Sequence, residues 1–194
     1  NQAINQYQDI ATSADEMVLE AALAKRKELV EAYREARATV NPLVLVQLPS
    51  EFTSMSIEDE SVKKEVEKQL EKHDVTYDNG KLAVWLSGEK SESLDHITNN
   101  DNPVEVLIFK EAVAVGWDCP RSQILVMLRP IRALTFKIQT VGRVLRMPEA
   151  KHYDVTGLNQ AFIYTNLPDI NINDDPEDLS FFKTKPAAHL KDNV

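Results

Sequence analysis

The stretch LVLVQL at residues 43–48 decides the fold. Its apolar side chains run on without the polar alternation of a strand that has one wet face, which marks a strand covered on both sides. Asn41-Pro42 stand before it and Pro49-Ser50 close it. Upstream, Ser13-Ala14-Asp15-Glu16 fits a capping box, and Leu19, Ala22, Leu23, Val30 and Tyr33 then recur at helical spacing. The spacing predicts a helix over 14–38. Downstream, Ser56-Ile57-Glu58-Asp59 opens a second helix with Val62, Val66 and Leu70 on one face and Lys and Glu on the others. Asp78-Asn79-Gly80 is a turn. A strand containing Trp85 is predicted over 81–87, and a breaker-rich loop with one short helix over 89–103. Strands follow at 104–109 and 124–128, a helix at 134–145 and a last strand at 161–165. Strands alternating with helices make an α/β fold with a mostly parallel sheet and helices on both faces. The expected organisation is a helical segment over 1–40, a domain over 41–166, and an acidic, proline-containing extension over 167–194 that packs on a neighbour.

The chain has 194 residues, enough for one domain and an appendage. No apolar run approaches the roughly 20 residues of a membrane-spanning helix. The single cysteine, Cys119, excludes a disulfide framework and a multi-cysteine zinc site. His73, His96, His152 and His189 are too scattered to form a metal cluster. The chain begins at Asn1 with nothing resembling a signal peptide. The expectation is an excised piece of a longer cytoplasmic protein.

The net charge of −9 argues against a general nucleic-acid coat, but it is unevenly spread. Between Pro103 and Ala150 seven basic residues (Lys110, Arg121, Arg129, Arg132, Lys137, Arg143, Arg146) face four acidic ones, so this segment is +3 and the rest −12. A basic segment inside an acidic chain points to a specific anion site.

Two stretches carry the chemistry. The first is QTVGRVLR at 139–146. On a helix, Leu134, Ile138, Val141 and Leu145 form a core stripe. Gln139, Gly142, Arg143 and Arg146 form the opposite one: an amide, a gap and two guanidiniums whose donor forks suit phosphate oxygens. A glycine within a helix costs about 1 kcal/mol relative to alanine, so something must approach closely there. The plainer alternative is a helix with two solvated arginines. The second stretch is KEAVAVGWDCP at 110–120, directly after a strand, where ligands bind in open α/β sheets. Gly116 permits an unusual backbone angle, and Asp118 offers acceptors to a ribose hydroxyl or a metal. The plainer alternative is a turn with a capping aspartate and a packed tryptophan.

In this order, with a strand between them, the two stretches resemble motifs V and VI of superfamily 2 helicases. VLIFKEAVAVGWDCP at 106–120 resembles motif V, and QTVGRVLRMPE at 139–149 resembles motif VI. NPLVLVQLPS at 41–50 takes the place of the motif IV strand. The wording is most similar to the Res (helicase/translocase) subunit of type III restriction enzymes, and the resemblance spans about 42–166. It implies a second RecA-like domain.

The resemblance also assigns roles. Arg143 and Arg146 match arginines that reach across an interdomain cleft to ATP phosphates, one of them as an arginine finger. Gln139 matches the glutamine that senses the γ-phosphate, with Gly142 in the same motif. Asp118 matches the acid that bonds the nucleotide ribose, and Gly116 the motif V glycine. Lys110 stands where many relatives have a threonine on the nucleic-acid backbone, and a lysine can also meet a phosphate. Trp117 could stack on a base or pack in the core. A P-loop needs Gly-x-x-x-x-Gly-Lys-Ser/Thr, and Gly80, Gly88, Gly116, Gly142 and Gly157 never have that spacing. No acidic box for magnesium is present either. The implied partners are ATP with Mg2+, double-stranded DNA, an N-terminal RecA-like domain that this chain lacks, and a methyltransferase subunit. The fragment alone is expected to have no ATPase activity. The alternatives are a DNA-repair or RNA helicase of the same superfamily, or a non-catalytic RecA-like scaffold. Cys119 reads as a buried thiol rather than a nucleophile. Asp174, Asp175, Glu177 and Lys183 read as a solvated loop rather than a nuclease site.

Overall fold

The computed structural model of the chain describes residues 2–48, 55–86, 88–110, 118–128, 149 and 152–165. Among these, the elements follow the order α1 (Gln2–Glu35), β1 (Leu43–Gln47), α2 (Ile57–Glu71), β2 (Leu82–Leu86), β3 (Glu89–Lys90), β4 (Val106–Phe109), β5 (Ser122–Met127) and β6 (Phe162–Thr165). Short 3-10 turns occupy Glu92–Leu94 and Thr156–Asn159. The six strands form one mostly parallel sheet in the order β3-β2-β4-β1-β5-β6, in which only the β2–β3 pair is antiparallel. The fold is therefore the expected α/β arrangement, compatible with a RecA-like domain. The predicted helix over 134–145 and extension over 167–194 lie outside the described residues.

β1 sits in the middle, paired parallel to β4 on one side and β5 on the other. All five of its residues are buried, as the unbroken apolar run requires. Alternation along the strands splits the core in two. Val44, Val46, Val84, Ile108 and Val126 face α1 and α2, which contribute Leu19, Leu23, Tyr33, Val62, Val66 and Leu70. Leu45, Ala83, Leu107, Leu125 and Ile163 form the opposite face with Leu94, Ile97 and Cys119. Both long helices thus cover the same face among the described residues. Helices on both faces were expected; the second layer as described consists of the segment after β3 and the segment before β5.

α1 starts far earlier than the expected 14–38 and runs from Gln2. Ser13-Ala14-Asp15-Glu16 lies inside it and not at its start. A capping box signals a start only if the chain upstream leaves the helix, and no Gly or Pro occurs before Pro42. Leu29 is buried where Val30 was expected to be, a shift of one position along the stripe. The helix ends at Glu35, ahead of Asn41-Pro42, in a Schellman turn: Ala38 N–H donates to the Tyr33 carbonyl at 2.9 Å and Arg37 N–H to Arg34 at 3.1 Å. Arg37 takes the left-handed position there, with φ of 54°. α2 behaves as read. Its cap is Ser56, whose hydroxyl accepts from Asp59 N–H at 3.0 Å while Ser56 N–H donates to Asp59 Oδ2 at 2.9 Å.

Candidate functional site at the carboxyl edge of the sheet

The chain leaves β1 toward α2 on one face, whereas the connections from β2 to β4 and from β4 to β5 pack residues on the other. The carboxyl ends of β4, β1 and β5 therefore border a topological switch point, the place where open α/β sheets hold ligands. Two features lie there on opposite faces of the sheet, the Lys110–Asp59 pair toward α2 and Gln47 on the other side.

Lys110 follows β4 directly. It is 2% exposed, and its Nζ donates to Asp59 Oδ2 at 2.7 Å, with Asp59 fully buried. Strand alternation explains the direction: Val106, Ile108 and then Lys110 point toward the α2 face. Asp59 is the third residue of α2, and its carboxylate also accepts from the Ser56 hydroxyl at 2.8 Å and the Ser56 N–H. One carboxylate thus closes the capping box and joins the start of α2 to the end of β4. The position that the resemblance would give to nucleic acid is turned inward in this conformation.

Gln47 ends β1 and is 3% exposed. Its register neighbours are Phe109 on β4 and Met127 on β5, with Trp85 beyond Phe109 on β2. These four side chains form one row on the face away from α1 and α2. Lys90 lies over the Trp85 ring, 4.8 Å from its centroid.

Asp118 is exposed, but it sits elsewhere. The next residue, Cys119, is buried, and its carbonyl accepts from Ser122 N–H at 3.0 Å in the turn that starts β5. Asp118 therefore lies beside the amino end of β5, and Lys110 beyond the carboxyl end of β4. The structure does not bring these two together. Gly116, Trp117, Gln139, Gly142, Arg143 and Arg146 lie outside the described residues.

The amino end of the sheet is built around arginines. Arg121 is fully buried. Its guanidinium donates to the carbonyls of Ile97 (2.7 Å), Asn41 (2.7 Å) and Val104 (2.9 Å), and to Asn102 Oδ1 at 3.3 Å. Burial brings its pKa down to about 10. Arg26 on α1 adds a bond to the Pro42 carbonyl at 2.9 Å and an ion pair with Glu105 at 3.0 Å. Lys110 and Arg121, two of the seven cations in the basic segment, are thus committed inside the protein. Residue type alone does not separate a solvent-facing arginine from one that ties loops together. Cys119 is the buried thiol expected: its Sγ meets the Ile97 carbonyl at 3.7 Å, and burial pushes its pKa up to about 11.

Among the described residues no three His, Cys, Asp or Glu side chains gather in a way that could hold a metal ion. Also among them, no helix is long and apolar enough to cross a membrane. No family model, curated protein or solved structure matches the chain.

The sequence reading missed Asp59 as the partner of Lys110, and Arg121 as an internal tie. Gln47 did leave a signal: it is the one polar residue in LVLVQL, at the end of a strand with no wet face.

Proposed function

We propose that the chain is the second RecA-like motor domain of an ATP-dependent superfamily 2 DNA helicase or translocase, of the kind found in the Res subunit of type III restriction enzymes. The observation that carries the reading is the order of segments around the central strand. KEAVAVGWDCP leaves β4, β5 follows it, and QTVGRVLRMP follows β5, in a mostly parallel α/β sheet. In the longer cytoplasmic protein that this requires, ATP and Mg2+ bind between this domain and a P-loop domain. The resemblance gives Arg143 and Arg146 the stabilising of phosphate charge, with Gln139 and Gly142 in the same motif, and gives Asp118 and Gly116 the nucleoside side, a role that has to be reached from the amino end of β5 where Asp118 stands. Double-stranded DNA is the track, and a methyltransferase subunit is the expected partner. The burial of Lys110 against Asp59 narrows the reading, since phosphate contact by this lysine needs a different conformation from the one described.

The test is nucleic-acid-stimulated ATP hydrolysis by the full-length protein, wild type beside Arg143→Ala and Arg146→Ala. DNA-dependent turnover that each variant loses by 10³-fold or more supports the motor, in line with the contribution of arginine fingers. Stimulation by RNA and not DNA would move the assignment to an RNA helicase. No turnover from a protein that carries a P-loop would leave a RecA-like scaffold.

A further inference from the structure

Every buried charged or polar side chain among the described residues has a partner for its polar atoms except one. Gln47 Oε1 accepts no hydrogen bond. It lies in a row whose other buried members are apolar, with Phe109 at 1% and Met127 at 3% exposure on the flanking strands. An unpaired acceptor in such surroundings opposes folding, and methionine would fill the same volume without that cost. The second observation is position. Gln47 ends the central strand, with α2 after β1 packed on one face of the sheet and Cys119, between β4 and β5, on the other, and ligands of open α/β sheets bind at such points.

We infer that Gln47 is a ligand-binding residue whose Oε1 accepts a hydrogen bond from a hydroxyl or amino group arriving over the carboxyl ends of β4, β1 and β5. A carbonyl oxygen cannot pair with the oxygens of an ionised phosphate, since both only accept. Within the motor reading on which this assignment rests, Oε1 therefore meets a donor of the sugar or base of the nucleotide and not a phosphate.

Gln47→Met in the full-length protein tests this. The melting temperature without ligand, the dissociation constant for ADP, and inhibition of ATP hydrolysis by inorganic tripolyphosphate are measured beside wild type. The expected result is a melting temperature equal to or above wild type, ADP affinity lower by tenfold or more, and unchanged inhibition by tripolyphosphate. Wild-type ADP affinity in the variant would overturn the assignment. So would a lowered melting temperature, because Oε1 would then have an internal partner. Equal loss of tripolyphosphate inhibition would overturn the choice of sugar or base over phosphate. If wild-type protein neither binds ADP nor hydrolyses ATP, the motor reading itself fails, a result separable from every outcome above.

Discussion

Lys110→Met should destabilise the chain by about 3 kcal/mol, near the low end of the roughly 3–5 kcal/mol lost when one partner of a buried ion pair is removed. The structure explains the low end. With Lys110 gone, the Asp59 carboxylate keeps the Ser56 N–H at 2.9 Å and the Ser56 hydroxyl at 2.8 Å, so it is not stranded. Asp59→Ala should cost about 1 kcal/mol more, because it leaves an ammonium in a site 2% exposed and breaks the capping box of α2 as well. Urea unfolding followed by circular dichroism reads both variants. For a chain of this size each kcal/mol moves the melting temperature by about 2–4 °C, so Lys110→Met should melt roughly 6–12 °C early. Combining Asp59→Ala with Lys110→Met closes a mutant cycle. The double variant should be more stable than the sum of the singles implies, with a coupling energy of about 2 kcal/mol. A Lys110→Met loss below about 1 kcal/mol, with singles that simply add, would refute the reasoning: Lys110 would then be a solvated cation available to outside phosphates.

Other expectations follow the same physics. Arg121→Lys should cost about 3–5 kcal/mol, because one ammonium cannot reach three carbonyls and the Asn102 side chain that a planar fork serves together; thermal melting at wild-type temperature would contradict this. The Cys119 thiol should react at least a hundredfold more slowly with a disulfide reagent in the native chain than in urea. Its folded pKa of about 11 stands above the ordinary 9.0, so its contribution is complete below pH 9 and is lost as pH rises toward 11. Between pH 8 and pH 10 the wild type should lose about 1 kcal/mol more than Cys119→Ala in urea unfolding, and equal losses would rule that out. Arg121, with its pKa lowered to about 10, acts in the opposite sense only above that pH, stability rising as it deprotonates in the folded state first. Arg37→Gly should stabilise the chain by about 0.5–1 kcal/mol, since the exposed arginine holds φ of 54° at the end of α1; a melting temperature no higher than wild type would show that the strain is illusory.

Much of the fold was legible because local chemistry and burial agree. LVLVQL, the Trp85 strand and the strands around residues 108, 125 and 163 emerge within two residues of where their apolar runs lie. Ser56 and Asp59 meet as a capping box because the preceding strand had already ended at Gln47. The same four-residue signal at Ser13 failed because nothing upstream breaks the helix. The two-residue β3 escaped notice because Glu89 and Lys90 are polar and exposed at the sheet edge. Strand order was beyond a linear reading: β4 enters between β2 and β1 through contacts separated by about 20 to 60 residues, and no local pattern encodes such pairings. The site divides similarly. Lys110 is adjacent to a strand end as read, but its direction depends on Asp59, 51 residues away. Net charge counted Arg121 toward an anion site, yet its three carbonyl partners come from three separate segments.

The two ends of the sheet spend polar groups in opposite ways, and the contrast bears on function. At the amino end Arg121 and Arg26 satisfy the carbonyls of Asn41, Pro42, Ile97 and Val104, so internal bonds tie that end together. At the carboxyl end Lys110 and Asp59 lock α2 onto β4 on one face of the sheet, while Gln47 on the other face keeps an acceptor unpaired between Phe109 and Met127. A fold maintained for stability alone gains from methionine at position 47 and loses nothing. A fold that takes a ligand at its switch point needs rigid strand ends and an unsatisfied group together, because the rigid strands hold the acceptor in place before the donor arrives. The pairing of the Lys110 clamp with the Gln47 acceptor is therefore the arrangement expected of a binding edge. The arginine-filled opposite end is the arrangement expected of a base.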